Sequence, residues 1–137
     1  MVIGYSYLWH SEKKRGYEDG FKDRPCAIVL AAENSDGNTH ITVVPITHTA
    51  PANLDEAVEI PPATKQRLRL DDERSWVIVS EVNQFIWPGP DLRPVSRQQP
   101  DQYAYGVLPP KLFEQIKVRL LNLIEKQRIS PVERTDM

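Results

Sequence analysis

The stretch Pro25-Cys26-Ala27-Ile28-Val29-Leu30-Ala31-Ala32-Glu33-Asn34-Ser35-Asp36-Gly37-Asn38-Thr39-His40-Ile41-Thr42-Val43-Val44-Pro45-Ile46 decides the fold class of this chain. Both of its ends are aliphatic and β-branched, as buried strands require, and its middle is a turn sequence in which Asp36-Gly37 suits positive backbone dihedrals. Cys26 to Ala32 and Ile41 to Ile46 therefore read as the arms of an antiparallel hairpin. Cys26, inside an apolar run, reads as a small buried hydrophobe.

Before the hairpin lies a charged connection, His10-Ser-Glu-Lys-Lys-Arg-Gly-Tyr-Glu-Asp-Gly-Phe-Lys-Asp-Arg24. It is pinned to a further strand candidate, the aromatic and aliphatic run Tyr5 to His10. Strand connections need only about two to five residues, so one this long is functional or disordered. After the hairpin, Ala57-Val58-Glu59-Ile60 alternates like a short edge strand and is closed by Pro61-Pro62, which cannot donate to a ladder. Trp76 to Val79 is another buried run, and Val82 to Trp87 continues it until Pro88-Gly89-Pro90. Pro109-Pro110 suits a first helical turn. Leu112, Phe113, Ile116, Leu120, Leu123 and Ile124 then recur at helical spacing, with Glu114, Lys117, Asn122, Glu125 and Lys126 opposite and Val118 and Leu121 at the margin, where they can meet a partner. The expected fold is mainly β (α+β): a strongly curved antiparallel sheet or small barrel closed by a C-terminal helix. One domain over residues 1–128 and a polar, flexible tail over 129–137 are expected.

The composition fits that reading. With 137 residues there is room for one core, and 40% hydrophobic and 26% charged residues are ordinary for a globular protein. Twelve prolines supply corners. A net charge of -2 excludes a global field drawing the chain onto nucleic acid or an anionic membrane, so phosphate recognition has to be local. One cysteine excludes a disulfide framework or a cysteine zinc site. No secretory signal and no bilayer span is read, so a cytoplasmic protein without a membrane partner is expected.

Leu8-Trp9, with the charged loop ending in Arg24-Pro25-Cys26-Ala27-Ile28-Val29-Leu30, then Val43-Val44-Pro45-Ile46-Thr47, then Gly106-Val107-Leu108-Pro109 before the last helix, resembles the PemK/MazF family of bacterial toxin endoribonucleases. Ser80-Glu81-Val82-Asn83-Gln84-Phe85 is a weaker match. The resemblance covers residue 4 to about 125. It implies an SH3-like barrel that forms a homodimer and cuts single-stranded RNA without a metal or other cofactor. It also implies a toxin silenced by an antitoxin protein. In such an attack the ribose 2′-oxygen adds to phosphorus, the 5′-oxygen leaves, and a 2′,3′-cyclic phosphate results. The reaction needs a base, an acid and a cation on the phosphorane oxygens.

Arg24 matches the family's catalytic arginine, and Thr47 its threonine at the end of the Val-Pro-x-Thr strand. Glu18 and Asp19 fall where the family carries a loop glutamate. Ser80 stands where one branch of the family has an aspartate, which makes Glu81 a candidate substitute. His10 and His48 are candidate acids or bases, since imidazole titrates near neutrality, while His40 is left structural. In the loop, Tyr17 and Phe21 offer stacking for bases or pin the loop to the barrel, and Lys14, Arg15 and Lys22 offer backbone contacts to RNA. Lys65 to Arg69 followed by Asp71-Asp72-Glu73 reads as a solvated face. Trp76, Phe85 and Trp87 are open to core, dimer seam or antitoxin groove. The alternative function is a barrel without catalysis that binds RNA or a protein such as a topoisomerase.

Overall fold

A computed structural model of the protein describes residues 1–5, 24–87, 92–93 and 104–126, and the backbone of 132–133. Among these residues, β1 (Val2–Tyr5), β2 (Arg24–Glu33), β3 (Thr39–Thr47), β4 (Ala57–Glu59), β5 (Trp76–Ile78), β6 (Asn83–Ile86), β7 (Ala104–Gly106) and β8 (Val132–Glu133) share one sheet. The helices are α1 (Pro62–Arg67) and α2 (Pro110–Glu125), with a 3-10 turn at Leu54–Glu56. The main path runs β4-β5-β3-β2-β1-β7, every pairing in it antiparallel. Its end strands β4 and β7 do not pair with each other, so among the described residues the sheet is not closed into a barrel. No helix among those residues is long and apolar enough to cross a membrane.

The hairpin forms as its sequence requires. Gly37 takes a φ of 81°, its N–H bonds the Asn34 carbonyl, and Asp36 Oδ1 accepts from the Asn38 N–H at 2.9 Å. The β2–β3 register shifts between Ile28 and Leu30, where Val29 is the extra residue of a bulge. Val29 and Leu30 consequently line one groove beside α2, with Leu120, Leu121 and Ile124. β3 pairs β6 over His40–Val43 and β5 over Ile46–Thr47. Pro45, with no N–H to donate, stands close to the changeover.

Strand alternation splits the core in two. Val2, Ala27, Val29, Val44 and Ile46 turn to one face and pack with Leu112, Ile116, Leu120 and Leu123 of α2. Ile3, Tyr5, Cys26, Ile41, Val43 and Phe85 form the cluster on the other face, where the Tyr5 and Phe85 rings stack at 4.9 Å. Trp76 and Phe85 are thus core, whereas Trp87 is exposed.

Several sequence expectations are corrected. The first described strand is Val2–Tyr5, ahead of the expected Tyr5 to His10, of which only Tyr5 is described. All four β1 residues are buried, so no alternation marks them in sequence. Ile124, assigned to the packed stripe, is exposed and lines the open groove between α2 and the sheet. α1 was not foreseen, since six residues are too few to show a period. Within the tail expected from residue 129, Val132–Glu133 lies parallel beside β6.

Candidate functional site

Arg24 opens β2 and Thr47 closes β3. The hairpin ladder ends at the Cys26–Pro45 pair, and Arg24 and Thr47 each lie two residues beyond it, at the same end of the hairpin. Both line a cleft of about 420 Å³ together with Thr49, Glu56 and Ile78. Both also line an adjoining cleft of about 180 Å³ with His48, Leu70, Asp71 and Ser75. Thr47 Oγ1 accepts the Thr49 N–H at 3.2 Å, which fixes the hydroxyl while its own proton remains to be donated.

One wall of the second cleft, Leu70 and Asp71, is set by the way the chain leaves α1. Pro61 and Pro62 start the helix with rings pre-set for its first turn. Its end is a Schellman motif: the Arg69 N–H bonds the Gln66 carbonyl, and the Leu70 N–H bonds the Lys65 carbonyl. Arg69 holds a φ of 57°, the left-handed conformation usually taken there by glycine. The reversal carries Asp71 back over the helix, where Lys65 Nζ donates to its Oδ1 at 2.6 Å and also to the Glu73 carbonyl. The other carboxylate oxygen, Oδ2, lies 2.6 Å from His48 Nε2, and His48 Nδ1 lies 3.5 Å from Glu73 Oε2.

Lys65 is only 4% exposed, which corrects the reading of its stretch as a solvated face. A buried ammonium needs a fixed acceptor, and here it has two. Partial burial pushes the Asp71 carboxyl up, but the bonds from Lys65, the Glu73 N–H and His48, with the His48 charge, outweigh that and hold it below the ordinary carboxylate value. Asp71 therefore stays an acceptor. His48, Asp71 and Glu73 offer ligand atoms within 4.8 Å of one another. The two carboxylates, however, contact opposite nitrogens of one ring, and Asp71 already carries a lysine. That arrangement suits a proton-bearing chain better than a cation about 2 Å from each ligand.

Of the candidates named from sequence, Arg24, Thr47 and His48 come together. Glu81 lies in the turn after β5 and is not among the described residues lining either cleft. His40 bonds Asp36 at 3.0 Å within the hairpin, a structural role. His10, Lys14, Arg15, Tyr17, Glu18, Asp19, Phe21 and Lys22 lie outside the described residues. Glu56, Lys65 and Asp71 are additions. The signal for the last two was a double proline followed by a short polar run with a lysine and an acid on either side of a reversal, and its meaning needed the reversal itself. A larger cleft, about 650 Å³, runs along α2 between Asp55, Lys111, Arg119 and Lys126 and is lined by none of these groups. The chain matches no family model, no curated protein and no solved structure.

Proposed function

We propose that the protein is a metal-independent, sequence-selective endoribonuclease that cleaves single-stranded RNA through 2′-hydroxyl attack and a 2′,3′-cyclic phosphate, acting as the growth-inhibiting toxin of a type II toxin-antitoxin pair. The observation that carries this reading is the meeting of Arg24, Thr47 and His48 at two adjoining clefts, from residues that resemble the toxin motif. Arg24 offers a planar cationic fork to a phosphate whose charge grows in the transition state. Thr47 offers a hydroxyl proton to a non-bridging oxygen. Glu56, on the wall of the larger cleft, offers a carboxylate to take the 2′-proton, and His48 offers a nitrogen that can protonate the leaving 5′-oxygen. The reading further takes the curved sheet as an open member of the SH3-like barrel class. It makes the protein a cytoplasmic homodimer with an antitoxin partner.

Digestion of a long single-stranded RNA in excess chelator tests it. The wild type is expected to give discrete cuts ending in 2′,3′-cyclic phosphate, and Arg24→Ala to lose about a thousandfold or more in rate. Equal cutting by both proteins removes Arg24 from the chemistry, and no cutting by either removes the ribonuclease.

A second reading, a protein-binding module without catalysis, has its own support. Leu30, Val118, Leu121 and Ile124 are all about half exposed, on and beside α2. Apolar side chains gathered in this way mark interaction surfaces.

A further inference from the structure

Lys65, Asp71 and His48 form a continuous chain whose polarity is fixed by chemistry. Lys65 can only donate, Asp71 when ionised can only accept, and the His48 nitrogen facing Asp71 must therefore carry a proton. Nε2 is that nitrogen, so Nδ1 is the one left to exchange protons with a substrate. Its own contact is weak: Glu73 Oε2 stands 3.5 Å away on a side chain 69% exposed. Asp71 is different, because Lys65 at 2.6 Å and the Glu73 N–H at 3.1 Å hold one of its oxygens from two directions. The Lys65 side chain is itself 5% exposed and leaves little room to move.

We propose that Asp71, clamped by buried Lys65, is a positioning residue that keeps a proton on Nε2 of His48 and turns Nδ1 toward RNA held at Arg24 and Thr47. The proposal rests on the ribonuclease reading for its substrate. In the step it serves, the ribose 2′-oxygen forms a bond to phosphorus as its proton passes to the Glu56 carboxylate. The bond from phosphorus to the 5′-oxygen breaks, and that oxygen takes the proton from Nδ1 of an imidazolium. The ring ends neutral with its Nε2 proton still bonded to Asp71, so the same contact serves both charge states. Lys65 contributes by keeping Asp71 ionised, since a protonated Asp71 would have no charge with which to hold the ring. RNA reaching Nδ1 has to displace Glu73, the loose partner, which lines the neighbouring groove together with Asp71.

The test has two readouts. Nitrogen-15 spectra of the imidazole in the free protein, taken where the ring is neutral, are expected to show the Nε2-protonated tautomer in the wild type and a mixture of tautomers in Asp71→Asn. RNA cleavage is expected to fall about a hundredfold in Asp71→Asn with KM little changed. It should fall as far in His48→Gln and no further in the double variant, because the two residues act as one unit. A mixed tautomer in the wild type, or losses that multiply in the double variant, overturns the proposal. The wild-type spectrum decides this even should Asp71→Asn fail to fold. A wild type that shows a fixed tautomer yet cuts no RNA overturns the ribonuclease reading and with it the catalytic use of the ring, while the Lys65–Asp71–His48 positioning stands.

Discussion

The two helices are held by opposite means. α2 runs from Pro110 to Glu125 and is fixed by an apolar stripe, with Leu112, Ile116, Leu120 and Leu123 buried against the sheet. α1 runs only from Pro62 to Arg67; its own buried residues are Thr64 and Lys65, and besides its C-cap Leu68, which reaches the core, it is held by a backbone reversal and by the Lys65–Asp71 pair. The first closes a core, and the second builds a corner of polar side chains beside Arg24 and Thr47. Apolar packing tolerates many residue choices at each position, whereas the corner depends on individual atoms. The candidate site therefore gathers at the element that contributes less to the core.

The largest effect is expected where the packed helix is opened. Ile116 is fully buried, and Ile116→Ala should cost about 3–4 kcal/mol in denaturant unfolding from lost burial and the cavity left behind. A loss below about 1 kcal/mol would mean that α2 contributes no more to the fold than α1.

The corner should respond less, and with a pH signature the core lacks. Lys65→Met is expected to cost about 1–2 kcal/mol at neutral pH, because the Glu73 carbonyl and the Asp71 carboxylate lose their donor. The Asp71 carboxyl is held below its ordinary value of 3.8 in the folded protein, so the unfolded chain binds its proton first as acid is added. Its contribution to stability is thus complete above about that pH and is lost as the pH falls through the depressed folded value. Unfolding curves at a series of pH values should show wild type and Lys65→Met converging in acid. A gap independent of pH would break the comparison, since it would assign Lys65 a packing role like that of Ile116.

The smallest expected effect has the opposite sign. Arg69 occupies the left-handed C-terminal position of α1, which costs a side chain about 1 kcal/mol and glycine almost nothing. Part of that gain is returned through the greater freedom of glycine in the unfolded chain. Arg69→Gly should stabilise by about 0.5 kcal/mol, visible as a small rise in Tm. Destabilisation instead would show that the Arg69 side chain has a role beyond ending the helix.

How much was legible from sequence follows the same division. The hairpin announced itself through two apolar arms and Asp36-Gly37, and α2 through its spacing and its prolines. Within α2, Ile124 misled because periodicity places a residue on a helical face without saying how closely the sheet packs against it there. β1 went unread before Tyr5 because Val2, Ile3, Gly4 and Tyr5 are all covered, and a strand buried on both faces shows no alternation. In the candidate site, Arg24 and Thr47 were named from strand ends and the resemblance, and His48 from its place beside Thr47; the structure sets all three at one cleft. Asp71 and Lys65 were not, because a charged run on a short helix looks solvated until a partner is brought to it.

By itself, then, the sequence determined what depends on neighbours in the chain: the turn at Gly37, the alternation that sends Ala27 and Cys26 to opposite faces, the helical stripe, and the proline starts. Only the tertiary structure decided that Arg24 would face the cleft shared with Thr47 and Glu56, and that a reversal at Arg69 would lay Asp71 between Lys65 and His48. The physical reason is range. Backbone preference and periodicity act over a few residues, while an ion pair or a hydrogen bond takes its energy from whichever groups the finished fold sets within about 3 Å of each other.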